Sequence, residues 1–416
     1  MTLHPYAESV LDDFTALSAI GATPAGGVDR QAGTAEDGAA REWLRRWLSE
    51  RGFTVAVDRI GNLFGLYELV PGAPYVLAGS HLDSQPRGGR FDGAYGVLAA
   101  AHAAARLRDL DGARYNLAVV DWFNEEGSRF TPSMMGSGVF TGKLPLDTAL
   151  ATTDPSGVAV AEALDSLGER GTGDVFGEGT GRTAAGYAEI HIEQGRELDK
   201  TGTTLGLVDS TWAASKYELV VHGAQAHTGA TAIADRNDAL YGAALAVVFA
   251  RELADRHGED LHTSCGRLTV VPNSPVVVPR EVHLHLDLRS PSDDLLAEAD
   301  AALRSRLAEI EIEADVTVER RVAHGWKGHV YHPEGVELAR SVTEDLGVSS
   351  MTVRTRAGHD STNMKDVVPT VMLFVPSVEG ISHAEGEFTR DEDLVVGVDV
   401  LTETLSRMAR GHLDGG

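Results

Sequence analysis

Residues 75–97 read YVLAGSHLDSQPRGGRFDGAYGV. The apolar run YVLAGS (75–80) is too short for a buried helix and reads as a strand covered on both faces. A loop carrying His81, Asp83 and Asp92 among glycines follows. GVLAAAHAAARLRDL (96–110) then reads as an Ala-rich helix. Strand, loop and helix in that order form the repeating unit of an α/β sheet.

The same grammar extends outward. GAAREWLRRWLSERG (38–52) predicts an amphipathic helix closed by Gly52, and FTVAVD and LFGLYEL predict strands. NLAVVDWF (116–123) and AGYAEIHIE (185–193) predict further buried strands. Near residue 212 the pattern changes. SKYELVVHG (215–223), a helix over 236–258, LTVVPN, EVHLHLDLRS (281–290), a helix over 293–314 and VTVERRVAHG follow in the order β-α-β-β-α-β. That order is the split, ferredoxin-like unit. Past about residue 330 the α/β pattern resumes, with a helix over 334–346, strands at MTVRT and TVMLFVPS, and a closing helix over 391–411. The expected fold is a mixed, largely parallel sheet flanked by helices, with an inserted α+β domain. The expected division is 1–212, 213–327 and 328–416. The insert's two helices cover one face of its sheet, and SKYELVVHG is expected as an edge strand able to pair with a second copy.

Composition excludes several function classes. With 36 Lys+Arg against 62 Asp+Glu, the net charge is −26, which opposes binding to nucleic-acid phosphates or anionic membranes. One cysteine, Cys265, rules out an intrachain disulfide or a Cys-based zinc cluster, and an inert buried role is expected for it. The start, MTLHPYAESVLDDF, lacks the pattern of a signal peptide, and no apolar run reaches the length of a membrane span. A cytoplasmic protein is expected.

Ligand sites in open α/β sheets gather at the carboxyl ends of strands. His81 lies one residue past YVLAGS, and Asn124-Glu125-Glu126 just past NLAVVDWF. His191 lies near the end of AGYAEIHIEQG, and His383 follows LFVPSVEGIS. A lone strand-end histidine is usually structural. Histidines and acids at successive strand ends, with no Ser, Lys or Cys nucleophile pattern, suit ions such as Zn²⁺ or Mn²⁺. Glycines around Asp92 allow its loop to fold back toward the same point.

On GSHLDS, GGRFDGAYGV, FNEEGSRF, HIEQG, AHTGAT and ISHAEGE, the chain resembles the hydantoinase/carbamoylase family of amidases over nearly its whole length. That group includes N-carbamoyl-L-amino acid hydrolases, allantoate amidohydrolases and β-ureidopropionases, among the aminoacylase-like dinuclear metallohydrolases. The resemblance implies a zinc-exopeptidase-like catalytic fold whose insert serves as a lid and dimerisation domain.

The resemblance makes His81, Asp92, Glu126, His191 and His383 the ligands of two divalent ions, Zn²⁺ or Mn²⁺, with Co²⁺ or Ni²⁺ as alternatives. Asp92 bridges the two, His81 and His191 join it at one ion, and Glu126 and His383 at the other. Asp83 is expected to accept the second N–H of His81. Glu125 is the implied general base and then acid. His227, in AHTGAT, is implied to reach the partner subunit's site of a homodimer and polarise the reacting oxygen. Gln194, Asn273, Arg289 and the backbone at Gly358 are implied substrate contacts, Arg289 as a carboxylate fork. His359 and Asp360 brace the Gly358 loop.

The chain departs from the pattern at Ala213-Ala214-Ser215-Lys216, where relatives commonly carry Gly-Gln-Arg. It departs again at Ala230-Thr231-Ala232-Ile233, in place of Thr-Pro-Met. The expected activity is hydrolysis of a linear amide or ureido bond beside a carboxylate, with an N-carbamoyl-L-amino acid as the leading substrate. Allantoate or a related ureido acid is the close alternative, and an N-acyl amino acid or dipeptide the farther one. A metal-binding protein without catalysis would lack a base such as Glu125.

Overall fold

The strand Tyr75–Ser80 is buried along its whole length, and so are Asn116–Asp121 and Thr370–Val375. In the computed structural model, which describes residues 6–414, these strands lie at the centre of an eight-stranded sheet. Asn116–Asp121, Tyr75–Ser80, Ala184–Ile192 and Thr370–Val375 are neighbours in that order and run parallel. Leu63–Tyr67 and Thr54–Val57 extend one side antiparallel, and Leu205–Thr211 adds antiparallel to Thr370–Val375 on the other. Alternate residues of the central strands feed different cores. Val76, Ala78, Val119 and Ile190 pack with the helices Ala94–Arg106 and Asp391–Ala409. Leu77, Val120, Trp122 and Tyr187 join Phe64 and Phe176 in another cluster. Burial on both sides explains why these strands read as continuous apolar runs.

The chain separates into two units, one running to Asp209 and resuming at Val330, the other spanning Ser210–His329. The second holds a four-stranded antiparallel sheet in the spatial order Thr317–Trp326, Ala213–His222, Glu281–Ser290, His262–Val271. Its helices Ala239–His257 and Asp293–Ala314 bury Ala243, Ala246, Leu303 and Leu307 against Leu219, Val221, Leu284 and Leu286. Asp238 and Ser292 cap their N-termini through side-chain oxygens, which sets where each begins.

Two expectations need correction. SKYELVVHG is interior, because Thr317–Trp326 pairs on one side of Ala213–His222 and Glu281–Ser290 on the other. The edge strands are therefore Thr317–Trp326 and His262–Val271. Cys265 is only partly buried, since it lies on the edge strand His262–Val271. The sequence reading also passed over the helix Ala7–Ser18 and the short helices Met135–Phe140, Leu146–Ala151 and Val160–Leu167. The short ones span fewer than three turns, too few for a stable apolar period. Among the described residues, no helix is long and apolar enough to cross a membrane.

One buried ion pair fastens the sheet beneath the polar loops. Arg41, on the helix Ala35–Glu50, reaches Asp121 Oδ2 at 2.7 Å and Glu169 Oε2 at 3.0 Å, and is 1% exposed. Asp121 Oδ1 accepts the N–H of Leu82, between His81 and Asp83, at 2.9 Å. Removing one partner of such a pair leaves uncompensated buried charge. Arg41→Met is expected to destabilise the protein by about 3–5 kcal/mol, measured by urea denaturation followed through tryptophan fluorescence.

Candidate metal centre

The carboxyl ends of the four parallel strands bring together the loops that carry the chemistry. His81 follows Ser80, and Glu125 and Glu126 follow the end of Asn116–Asp121. His191 is the penultimate residue of the strand Ala184–Ile192, and His383 lies beyond Thr370–Val375. Asp92 is the common point. Its Oδ1 is 3.1 Å from His191 Nε2 and 3.6 Å from His81 Nε2, whereas its Oδ2 is 3.3 Å from His383 Nε2. His383 Nε2 is in turn 3.5 Å from Glu126 Oε2. Ligand atoms of His81, Asp92 and His191 lie within 4.8 Å of one another, and those of Asp92, Glu126 and His383 do the same. The two sets share Asp92, one through each oxygen. His81, Asp92 and His191 are buried, while half of the His383 side chain is exposed.

Neighbouring groups aim these donors. His191 Nδ1 lies 2.9 Å from the Ile192 carbonyl, which leaves Nε2 as the lone-pair nitrogen facing Asp92. For His81 the acceptor differs from the expectation. Nδ1 is 2.9 Å from the main-chain carbonyl of Asp83 and 3.5 Å from its carboxylate. That carboxylate instead accepts the N–H groups of Glu125 at 3.1 Å and Glu126 at 3.3 Å, fixing the turn that presents both glutamates. Gln85 donates to Glu126 from its main chain at 3.1 Å and from its side chain at 2.7 Å. Gln194 Nε2 donates to Asp92 Oδ2 at 2.8 Å. Gly93, at φ +63°, is required by close approach, because a Cβ there would collide with the His81 ring.

Glu125 Oε2 stands 3.5 Å from His81 Nε2, beside the donor sets without belonging to either. Burial pushes the Glu125 carboxyl well above the usual glutamate range, and the charges of Asp360, Glu126 and Asp83 add to this against His81. Burial would also raise Asp92, but His191 and His383, when protonated, hold it well below the ordinary value through hydrogen bonds and charge. The charge of Glu126 raises His383. Buried carboxylates thus outnumber the groups that neutralise them, and imidazole nitrogens with carboxylate oxygens suit a divalent cation. The residues fit the metal that the motifs imply.

Gly358 is half-buried between the strand Ser350–Thr355 and the helix Asp360–Met364. Beside it, the His359 ring lies 4.6 Å from that of His191, centroid to centroid. Asp360 is fully buried and bonds Ser137 Oγ at 2.5 Å.

The remaining expected residues lie in the Ser210–His329 unit. His227 is exposed, and its Nδ1 accepts the N–H groups of Gly229 at 3.0 Å and Ala230 at 3.1 Å. The ring proton then sits on Nε2, which points a donor outward. Asn273 is exposed at φ +49°. Arg289 is half-buried, 2.8 Å from Asp287 Oδ2 and 5.8 Å over the Trp326 ring. Ala214 lies in register between Arg289 and Trp326, and Lys216 lies opposite Asp287. The supports that sequence reasoning missed are Gln85, Ser382 and Glu387. Ser382 and Glu387 lie inside ISHAEGE and Gln85 directly follows GSHLDS, and only their position next to a ligand could have flagged them.

Known proteins resemble this chain over nearly its whole length. The family model for Peptidase family M20/M25/M40 matches residues 77–407. A Mycolicibacterium smegmatis protein named as a hydrolase is 69% identical over 409 residues, covering 97% of this chain and 93% of its own. An N-carbamoyl-L-amino-acid amidohydrolase of Rhizobium meliloti is 34% identical over 405 residues, covering 95% and 94%. The crystal structure of a hydantoinase/carbamoylase family amidase from Burkholderia vietnamiensis superposes with TM-score 0.93 at 36% identity, covering 97% of each chain.

The donor geometry generates a metal-content test. After dialysis against chelator and reloading with Zn²⁺ or Mn²⁺, His191→Ala and His383→Ala proteins are expected to retain less metal than the unsubstituted protein by elemental analysis. Glu125→Gln is expected to retain the full amount. Full metal content in the His383→Ala protein would remove His383 from the donor set.

Proposed function

The chain belongs to peptidase family M20/M25/M40 and groups with the hydantoinase/carbamoylase amidases, and from that premise we propose that it hydrolyses an N-carbamoyl-L-amino acid to the L-amino acid, CO₂ and ammonia, using two divalent metal ions. The observation that carries this reading is the Asp92 carboxylate shared between two donor sets, with Glu125 Oε2 3.5 Å from His81 Nε2. A ligand-only protein has no use for a buried carboxylate placed beside the donors and outside both sets.

Bound ions would supply Lewis-acid charge stabilisation and acidify water. Glu125 accepts a proton from that water as its oxygen adds to the ureido carbonyl carbon. The same carboxyl returns the proton to the leaving nitrogen as the C–N bond breaks, and the carbamic acid left behind loses CO₂ to release the second amine. His227, with Nε2–H directed outward by two main-chain donors to Nδ1, polarises the carbonyl oxygen. Arg289 reads the substrate carboxylate, and Gln194, Asn273 and the Gly358 backbone complete the contacts. The protein acts in the cytoplasm as a homodimer, each His227 serving its partner's site. Pairing between copies would use an edge strand of the second unit, His262–Val271 or Thr317–Trp326.

Two outcomes test this. Ammonia release from a panel of N-carbamoyl-L-amino acids, allantoate and N-acyl amino acids is expected to be greatest with the carbamoyl compounds. Glu125→Gln should lower kcat by roughly 10²–10⁴-fold; unchanged turnover would remove Glu125 from the mechanism. For assembly, a nearly inactive Glu125→Gln protein is mixed with a nearly inactive His227→Ala protein under subunit exchange. Activity is expected to return, because each mixed dimer holds one site with both residues intact. No recovery despite exchange would confine His227 to its own chain.

A further inference from the structure

Glu387 is only 4% exposed, yet it belongs to neither donor set. Its Oε1 accepts two successive main-chain N–H groups, those of Phe91 and Asp92, each at 3.0 Å. Its Oε2 accepts the Ser382 hydroxyl at 3.0 Å, and Ser382 Oγ also lies 3.3 Å from Asp92 Oδ2. Gly89 leaves room for this contact, because a Cβ there would collide with the Glu387 carboxylate. The turn carrying Glu387 also carries His383, which holds φ +55°, a left-handed conformation costly for a residue with a side chain. The Glu387 N–H closes that turn on the Ala384 carbonyl at 3.0 Å.

We propose that Glu387 is the positioning residue for the shared Asp92. It fixes the peptide planes on which the Asp92 side chain is built, and it holds Ser382, in the turn presenting His383, 3.3 Å from Asp92 Oδ2. The clamp joins residues nearly 300 positions apart in the chain, so it sets the separation of two donors that lie in different loops. What matters is a side-chain oxygen at the correct reach for two N–H groups. A neutral amide of the same length meets that requirement, since its oxygen accepts both N–H groups and its nitrogen donates to Ser382. A carboxylate one methylene shorter does not.

The inference rests on the reading that Asp92 binds metal, and the experiment separates the two. Metal-stripped protein is titrated with Co²⁺ by calorimetry, the visible spectrum of the bound ion is recorded, and the same is done for Asp92→Asn, Glu387→Ala, Glu387→Asp and Glu387→Gln. Glu387→Ala and Glu387→Asp are expected to weaken Co²⁺ binding by about 10–100-fold and to alter the spectrum, the range seen when outer hydrogen-bond partners of ligands are lost. Glu387→Gln is expected to keep the wild-type spectrum and affinity. Wild-type binding in Glu387→Asp, or a loss in Glu387→Gln equal to that in Glu387→Asp, overturns the proposal. If Glu387→Ala does not fold, the Asp and Gln proteins alone decide. Unaltered Co²⁺ binding in Asp92→Asn would instead overturn the metal reading itself.

Discussion

A carboxylate buried with its two oxygens facing different partners is the constraint on which the site depends. Asp92 presents Oδ1 to His81 and His191 and Oδ2 to His383. Taking such a charge out of water is costly unless both oxygens are compensated. Compensation here comes from three loops at once. The loop bearing Asp92 must therefore leave the strand Tyr75–Ser80, run outward and return before the helix Ala94–Arg106 begins. Gly89 and Gly93 stand where that return brings backbone against the Glu387 carboxylate and the His81 ring. The polar, glycine-rich stretch between a buried strand and an Ala-rich helix is the covalent form of this requirement.

Around this point one device recurs. Buried carboxylates that are not donors accept main-chain N–H groups of the loops that carry donors. Asp83 holds the turn at Glu125 and Glu126, Asp121 holds Leu82, and Glu387 holds Phe91 and Asp92. A hydrogen bond from a neutral N–H to an ionised acceptor is stronger than one between neutral groups. Each clamp acts on the backbone and so leaves the neighbouring side chain free to face the centre. Arg41 neutralises Asp121 from behind, which makes a helix far from the centre in sequence part of its support.

The second unit follows a different rule. Its strands alternate, and Glu281–Ser290 buries Val282, Leu284, Leu286 and Leu288 against the helices and leaves His283, His285, Asp287 and Arg289 on the other face. That face carries two residues of one departure from the family pattern, Ala214 and Lys216. Ala214 lies in register between the indole of Trp326 and Arg289, and Lys216 lies opposite Asp287. The small side chain lets indole and guanidinium approach to 5.8 Å across it, where a glutamine would stand between them.

The parallel sheet, the βαββαβ order of the insert and the strand-end histidines and acids were legible in the sequence, because each is a local pattern. A strand buried on both faces has to be apolar throughout, an open-faced strand has to alternate, and a residue one step past a strand lies at the sheet's edge whatever surrounds it. The motifs carried the identity of the donors in the same local way. Strand order was different. SKYELVVHG alternates equally well at an edge or in the interior, so only pairing on both sides settled its place. The same limit applied to Asp83, whose spacing from His81 suggested a side-chain contact that its main-chain carbonyl makes instead. It applied most to Glu387, because a clamp between residues 92 and 387 has no signature in either neighbourhood. The sequence by itself determined which groups stand at each strand end. The tertiary structure decided which oxygen meets which nitrogen, because those distances depend on loops that become neighbours only when the sheet is assembled.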